Sequence, residues 1–434
     1  MIDVGQAVIG FFMMLGLMAL GLHVAVAMLI TSIIGVLAFM GPTPLESYGN
    51  QMWSIMNDFL LTSIPLFVLL GEILLRSGVT DRMYKTLSLW LAPLPGGLLH
   101  TNIGASSIFA AVSGSSVATA ATISTVALPE FRKRRYNEKL VLGSIASGAT
   151  LGILIPPSVN LIIFGALTNT SIGQLFVGGI IPGVCLTLLF MLSIILIAKM
   201  FPGTAETVTK DTSMSDKVGS LVHLIPPAVI FFVTMGAIYF GWATPTEAAG
   251  VGVILSLGIA AIYGGLSWQM LHEAFLSTMR TSALCLFIIT AAFYLNFVLG
   301  VMGVPQAMTD YVASLGLSQL GLILVLVIFY LVLGCFIETL SMMVGTVPIV
   351  FPIILYANID PVWFGIFLVL MMELALITPP VGMNLYVVQG IRGRGAVSDL
   401  FIGILPFVAV IGIFVGVIIA FPTLVTWLPN QMFP

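Results

Sequence analysis

Leu151-Gly-Ile-Leu-Ile-Pro156-Pro157-Ser-Val-Asn160 and Leu376-Ile-Thr-Pro379-Pro380-Val-Gly-Met-Asn384 each place a Pro-Pro pair inside a long apolar run. Proline lacks the N–H and clashes with the preceding turn, so each run, 138–168 and 362–391, reads as a helix broken near its middle. At membrane depth such a break is tolerated only where protein or a ligand satisfies the freed backbone groups.

The two stretches repeat at an offset of 223 residues, Pro156-Pro157 falling on Pro379-Pro380 and Pro129 on Pro352. Downstream, Asn160 and Pro182 are 22 apart, as are Asn384 and Pro406, and QLFVGGIIPG resembles DLFIGILPF. The chain therefore reads as two homologous halves, 1–200 and 219–434, joined by a polar linker over 201–218.

Composition sets the class. Of 434 residues 59% are hydrophobic and 7% charged, where a soluble domain of this length carries about 108 charged residues. That excludes a soluble enzyme, a disordered chain and a nucleic-acid binder, which needs a basic patch. The apolar runs are continuous rather than alternating, which excludes a transmembrane β-barrel. Cys185, Cys285 and Cys335 lie singly, so neither disulfides nor zinc are indicated. The first ten residues have no basic region of the kind that opens a cleaved signal peptide.

Membrane segments read as 5–20, 23–40, 57–76, 98–128, 138–168, 172–199, 219–240, 244–264, 282–301, 319–356, 362–391 and 398–428. Arg76, Arg82 and Lys85 precede 98–128, and Arg132, Lys133, Arg134, Arg135 and Lys139 follow it. Basic residues favour the cytoplasm, so this stretch enters and leaves on one side as a re-entrant hairpin. The same topology makes 319–356 a second hairpin, entering from outside. It also puts Lys199, Lys210, Lys217, Arg280, Arg392 and Arg394 inside and both termini outside. Each half then has five transmembrane helices plus one hairpin. An odd number of crossings inverts the second half, as in secondary transporters. The fold class is an all-α polytopic membrane protein of two inverted repeats. Amphipathic stretches at 81–94 and 306–315 precede the hairpins, either linking scaffold to moving domain or lying passively at the surface, with Lys85 and Trp90 as interface anchors.

Chemistry concentrates at the hairpin tips. Ser113-Gly114-Ser115-Ser116 is expected opposite Pro156 to Asn160, and Glu338-Thr339-Leu-Ser341 opposite Thr378 to Asn384. Carbonyls and hydroxyls suit hard cations, and half-helix N-termini suit carboxylates. The candidate substrate residues are Ser113, Gly114, Ser115, Ser116, Asn160, Glu338, Thr339, Ser341 and Asn384. The alternative is that the small residues merely let helices pack closely and the prolines are kinks. Glu338 is the best functional acid at a tip. Glu373 either supports the site or makes an interhelical hydrogen bond. Glu247 caps a helix, and Glu72 bonds between domains. No Walker A loop, HExxH or GxSxG is present, which argues against an enzyme.

SGSSVATAATISTVALPEF, LGILIPPSVN and ITPPVGMN resemble the large membrane subunit of tripartite ATP-independent periplasmic (TRAP) transporters, over essentially the whole chain. The resemblance implies a bacterial inner-membrane permease that works with a small four-helix membrane subunit and a periplasmic substrate-binding protein. It implies sodium-driven uptake of an organic acid, sialic acid first and a C4-dicarboxylate next. The implied fold is similar to that of elevator-type sodium–carboxylate symporters. Their Ser-Asn-Thr motif is replaced here by Ser115-Ser116 and Glu338-Thr339. Two or more Na⁺ are implied, the first held by Ser115, Ser116, Pro156 and Asn160, the second by Glu338, Thr339, Thr378, Gly382 and Asn384. Because the sequence begins directly in its first span, the small subunit is expected as a separate chain. A self-sufficient proton- or sodium-coupled symporter, an anion channel and an intramembrane hydrolase are the other readings.

Overall fold

The computed structural model describes residues 4–134, 136–204 and 213–433. Arg135, Lys210 and the centre of the linker lie outside the described residues, so their expected cytoplasmic placement is untested. Every regular element among the described residues is helical.

The first half runs α1 (Val4–Ala19), α2 (Val24–Phe39), the short α3 (Thr43–Glu46) and α4 (Tyr48–Met56), α5 (Ser63–Arg76) and α6 (Val79–Leu91). The hairpin follows as α7 (Leu98–Ser113) and α8 (Ser116–Arg132), then the broken helix as α9 (Glu138–Thr150) and α10 (Val159–Thr168), then α11 (Ile172–Met200). The second half repeats the order. After α12 (Met214–Ser220) come α13 (Ile225–Tyr239), α14 (Pro245–Ile262), α15 (Trp268–Met302) and α16 (Val304–Ser314). Then follow the hairpin α17 (Gln319–Gly334) and α18 (Thr339–Tyr356), the broken helix α19 (Pro361–Ile377) and α20 (Met383–Arg392), α21 (Ser398–Ala420) and α22 (Thr423–Met432). Both hairpins and both breaks fall where glycine, serine and proline placed them. The amphipathic arms are α6, bent 69° from α5, and α16, bent 120° from α17.

Three boundaries differ from expectation. The span expected over 57–76 starts only at Ser63, because Asp58 bonds the Leu60 N–H in a turn. The span expected over 282–301 begins at Trp268, capped by Ser267. An apolar window stops at Arg280, whereas the helix goes on past it. The span expected over 398–428 stops at Ala420, since Pro422 cannot continue it and α22 begins anew.

The inversion of the halves follows from α21. Its first turn carries Asp399, bound to Arg392 at 2.9 Å, and Arg392 also binds Glu138 at the start of α9 at 3.1 Å. Its last turn carries Ile418, whose carbonyl accepts from the Trp363 indole at the start of α19 at 3.1 Å. With 23 residues α21 is about 34 Å long. The equivalent helices α9 and α19 therefore enter the molecule from opposite ends.

Arg392 also contacts Arg132, which donates to its backbone carbonyl at 3.0 Å. Arg392 thus ties the ends of α8, α9, α20 and α21, its buried guanidinium binding α9 and α21 and its backbone carbonyl accepting from α8. Other basic residues are held by contacts of their own. Arg76 pairs with Glu72 and Glu273, Arg82 lies over the Tyr263 ring, and the Trp90 indole donates to the Lys217 carbonyl. A buried chain from the Tyr84 hydroxyl to Asn102 (2.8 Å) and from Asn102 to Ser144 (2.9 Å) fastens arm α6 to α7 and α9.

The last helix of each half packs on the broken helices. Gly403 of α21 lies against the Lys139 carbonyl and Gly143 of α9, and Gly179 of α11 against the Leu154 carbonyl. No side chain fits at these crossings. We expect Gly403→Val to destabilise the protein by about 3 kcal/mol, because backbone on the facing helix cannot move aside. Gly412→Val on the same helix, where a Cβ meets nothing within 4 Å, should be near neutral. Thermal unfolding followed by tryptophan fluorescence compares the two, and equal midpoints would contradict the packing.

Candidate functional site

The first hairpin turns on Gly114, whose φ of +60° ends α7 in the left-handed conformation that glycine tolerates best. Ser115 then caps α8, its hydroxyl accepting from the Ala118 N–H at 3.3 Å. Thr119 donates to the Ser115 carbonyl at 2.7 Å and lies 3.1 Å from the Ser113 hydroxyl. The tip sits on the first bend, as expected: a Cβ at Gly114 would stand 2.7 Å from the Pro157 carbonyl oxygen, and one at Gly152 2.8 Å from that of Ser115. Ser158 caps α10 and donates to the Ile153 carbonyl at 2.6 Å. Pro156 and Asn160 are buried there.

The second hairpin is capped differently. Glu338 is the N-cap of α18 and accepts from the N–H groups of Leu340 and Ser341, both at 3.0 Å. It also accepts from the hydroxyls of Thr339 at 3.2 Å and Ser341 at 3.0 Å. The expected tip acid is thus held by its own helix. Glu338, Ser341 and Met383 line a largely apolar cavity of about 890 Å³, walled by α1, α15 and α17. The second bend is more open than the first, with Pro380 and Met383 exposed and Thr378 half-buried. Thr378 donates to the Leu374 carbonyl at 2.6 Å, and Gly382 begins α20 with a φ of +40°.

Asn384 departs from its expected partners. It was grouped with Glu338 and Thr339, but its fully buried amide reaches into the other half, donating to the Ser116 hydroxyl at 2.7 Å and to the Ala146 carbonyl at 3.2 Å. A carbonyl only accepts, so the Nδ2 side must face Ala146. Oδ1 is left buried without a partner among the described residues. The halves also pack crosswise, α8 on α20 and α10 on α18. Asn160, on the first turn of α10, is buried and makes no side-chain hydrogen bond with a described residue.

Of the other acids, Glu247 forms the expected capping box with Thr244. Glu72 accepts from Ser277 at 2.7 Å, joining α5 to α15. Glu373 is fully buried and makes no interhelical hydrogen bond with a described residue. The Arg392 clamp and the Ala146 carbonyl were not anticipated. Only the basic run around Arg132 hinted at the first, and a backbone acceptor leaves no sequence mark.

Two inverted halves with paired hairpin tips and broken helices meeting in the interior define a multi-pass membrane permease. Residues 11–424 match the family described as the DctM component of the tripartite ATP-independent periplasmic transporter, and the chain belongs to that family. The C4-dicarboxylate TRAP transporter large permease protein DctM of Pseudomonas aeruginosa is 31% identical over 394 residues, covering 90% of this chain and 91% of that one. The sialic acid TRAP transporter large permease protein SiaM of Vibrio cholerae is 30% identical over 418 residues, covering 96% of each. In fold the chain is similar to the YdaH transporter of Alcanivorax borkumensis, with a TM-score of 0.56 at 16% identity over 89% of this chain and 90% of that one.

The Ser116–Asn384 contact is testable without a substrate. Asn384→Ala and Ser116→Ala should each destabilise the chain. A double-mutant cycle by denaturant unfolding in mixed micelles should give a coupling of about 1 kcal/mol. Strict additivity would separate the two residues.

Proposed function

We propose that this permease performs sodium-coupled secondary active uptake of an organic carboxylate across the bacterial inner membrane. Sialic acid is the first candidate and a C4-dicarboxylate the second. The observation that carries the reading is the junction of the halves at Ser116 and Asn384. A buried amide oxygen with no donor, beside serine hydroxyls and a hairpin turn, is the oxygen donor set that a hard cation takes. In this reading Asn384 joins Ser115, Ser116, Pro156 and Asn160 in the first sodium site. The second site keeps Glu338, Thr339, Thr378 and Gly382. The carboxylate lies between the tips, with the N-terminus of α8 supplying partial positive charge.

The moving body is both hairpins, both broken helices, α11 and α21. It is held as a unit by the crosswise packing and the Arg392 clamp. The scaffold is α1, α2, α5, α13, α14 and α15, which pack on one another, chiefly α5 on α14 and α15 on α2 and α5. Sliding of one body past the other gives an elevator mechanism. With the basic ends in the cytoplasm, both termini are periplasmic.

The family is tripartite, so a small membrane subunit and a periplasmic substrate-binding protein complete the machine. Two Na⁺ with a monovalent acid carry one net charge inward, worth about 2.3 kcal/mol at 100 mV. That drives roughly fifty-fold accumulation before any sodium gradient is added.

The test is uptake of radiolabelled sialic acid, then succinate, into proteoliposomes holding this chain and its small subunit. The binding protein is added outside, with an inward Na⁺ gradient or K⁺ in its place. One acid should accumulate only with both Na⁺ and the binding protein. Asn384→Leu and Ser116→Leu should lose that uptake while remaining folded. Equal uptake in K⁺ would remove sodium coupling, and uptake without the binding protein would make the permease self-sufficient.

A further inference from the structure

α19 carries an acid that the sodium-coupled reading does not use. Glu373 is fully buried, and neither carboxyl oxygen has a hydrogen-bond partner among the described residues. It lies seven residues, or two helical turns, beyond Ile366. It therefore continues the stripe of Val362 and Ile366 that packs on Gly178 and Gly179 of α11. At the offset of 223 its counterpart in the first half is Thr150, whose hydroxyl donates to the Ser147 carbonyl at 2.8 Å. The first half has a satisfied hydroxyl at this position, and the second has an acid with nothing to bond.

Among the described residues no countercharge bonds Glu373. α19 packs against α9, α10, α11, α17, α18, α20, α21, α22 and the turn at 151–153. Glu138, Lys139, Arg392 and Asp399 bind one another at the ends of α9, α20 and α21. Lys199 sits in the last turn of α11. Tyr330 of α17 bonds Thr346, and Tyr386 of α20 bonds the Pro380 carbonyl. Cys185 of α11, Tyr356 of α18, Cys335 and Glu338 at the tip between α17 and α18, and Asp360 at the start of α19 are the remaining ionisable groups, Glu338 being held by the N-terminus of α18, while α10, α22 and the turn carry none.

An unpaired carboxylate is too poorly solvated to persist in such a place. A metal cation needs several oxygens around it, and among the described residues no group of three or more acidic, histidine or cysteine side chains could hold one. A proton needs only the carboxyl itself. We propose that Glu373 is a proton-binding site of the transport core, neutral in this packing, that releases its proton when the core's packing opens to water. The second bend is the route. It begins five residues on at Thr378 and is already exposed at Pro380 and Met383, whereas the first bend is buried. On release one O–H bond breaks, the proton passes to water, and the carboxylate stays. This adds a proton step beside the sodium sites and does not depend on them.

The test is infrared difference spectroscopy of the purified chain in lipid nanodiscs, titrated from about pH 6 to about pH 9, a range that spans documented buried carboxyls. The wild type should show a protonated-carboxyl C=O band that is lost reversibly as pH rises. Glu373→Gln should lack the band. Glu373→Asp should shift it, which keeps the assignment testable if the glutamine variant fails to fold. No acid band in the wild type at the lowest pH, or a band that survives Glu373→Gln, would overturn the proposal. So would a Glu373 band that neither titrates nor exchanges in D₂O, which would make Glu373 a fixed neutral packing group. The readout needs neither substrate nor Na⁺, so it stands or falls apart from the sodium-coupled reading.

Discussion

Backbone N–H and C=O groups at the depth of a bilayer have no water to bond, and this constraint organises the whole molecule. Two hairpin tips and two Pro-Pro breaks bring non-helical backbone to that depth. Three of the four restarts are capped by side chains, Ser115, Ser158 and Glu338, while α20 restarts at Gly382 in the left-handed conformation without a side-chain cap. The tips and breaks must lie inside the protein, so the helices around them must lie against one another. Glycine makes that approach close enough, at Gly143 and Gly403 between α9 and α21 and at Gly179 between α11 and the first bend. The core that results is a single packed body built from both halves, with the membrane-facing helices as its frame.

Much of this is legible in the sequence because proline and glycine act locally. A Pro-Pro pair breaks a helix wherever it stands, and its recurrence 223 residues later announces the second half before any contact is known. Charge placement gives the inversion for a similar reason, since each basic segment reports one side of the membrane without reference to its neighbours. Pairing across the halves is another matter. Asn384 and Ser116 are 268 residues apart, and an internal repeat says which residues are equivalent, not which are adjacent. The repeat suggests that each tip pairs with its own bend. The crosswise packing of α8 on α20 instead hands Asn384 to the first hairpin.

Other misreadings share a local cause. Arg392 reads as a loop residue marking the cytoplasmic side, yet its side chain is only 3% exposed. Its burial comes from α9 and α21, far away in sequence. Glu338 reads as a functional acid at a tip, and its capping of α18 goes unread because serine, aspartate and asparagine are the usual caps. The start of α15 was lost because a hydropathy window stops at Arg280, although a helix that leaves the membrane carries on in water with charged residues.

The halves share a fold without sharing electrostatics. At the equivalent cap, Ser115 satisfies the start of α8 with a neutral hydroxyl, while Glu338 satisfies the start of α18 with a carboxylate. A helix N-terminus carries about half a positive charge. At α8 that charge stays available to whatever approaches the tip, and at α18 it is already answered. A carboxylate entering between the tips meets attraction on one side and a like charge on the other. Only a cation near Glu338 or a displacement toward α8 relieves the repulsion. Symmetry of fold therefore gives the two tips the same architecture, and one substitution at the cap makes them prefer opposite charges.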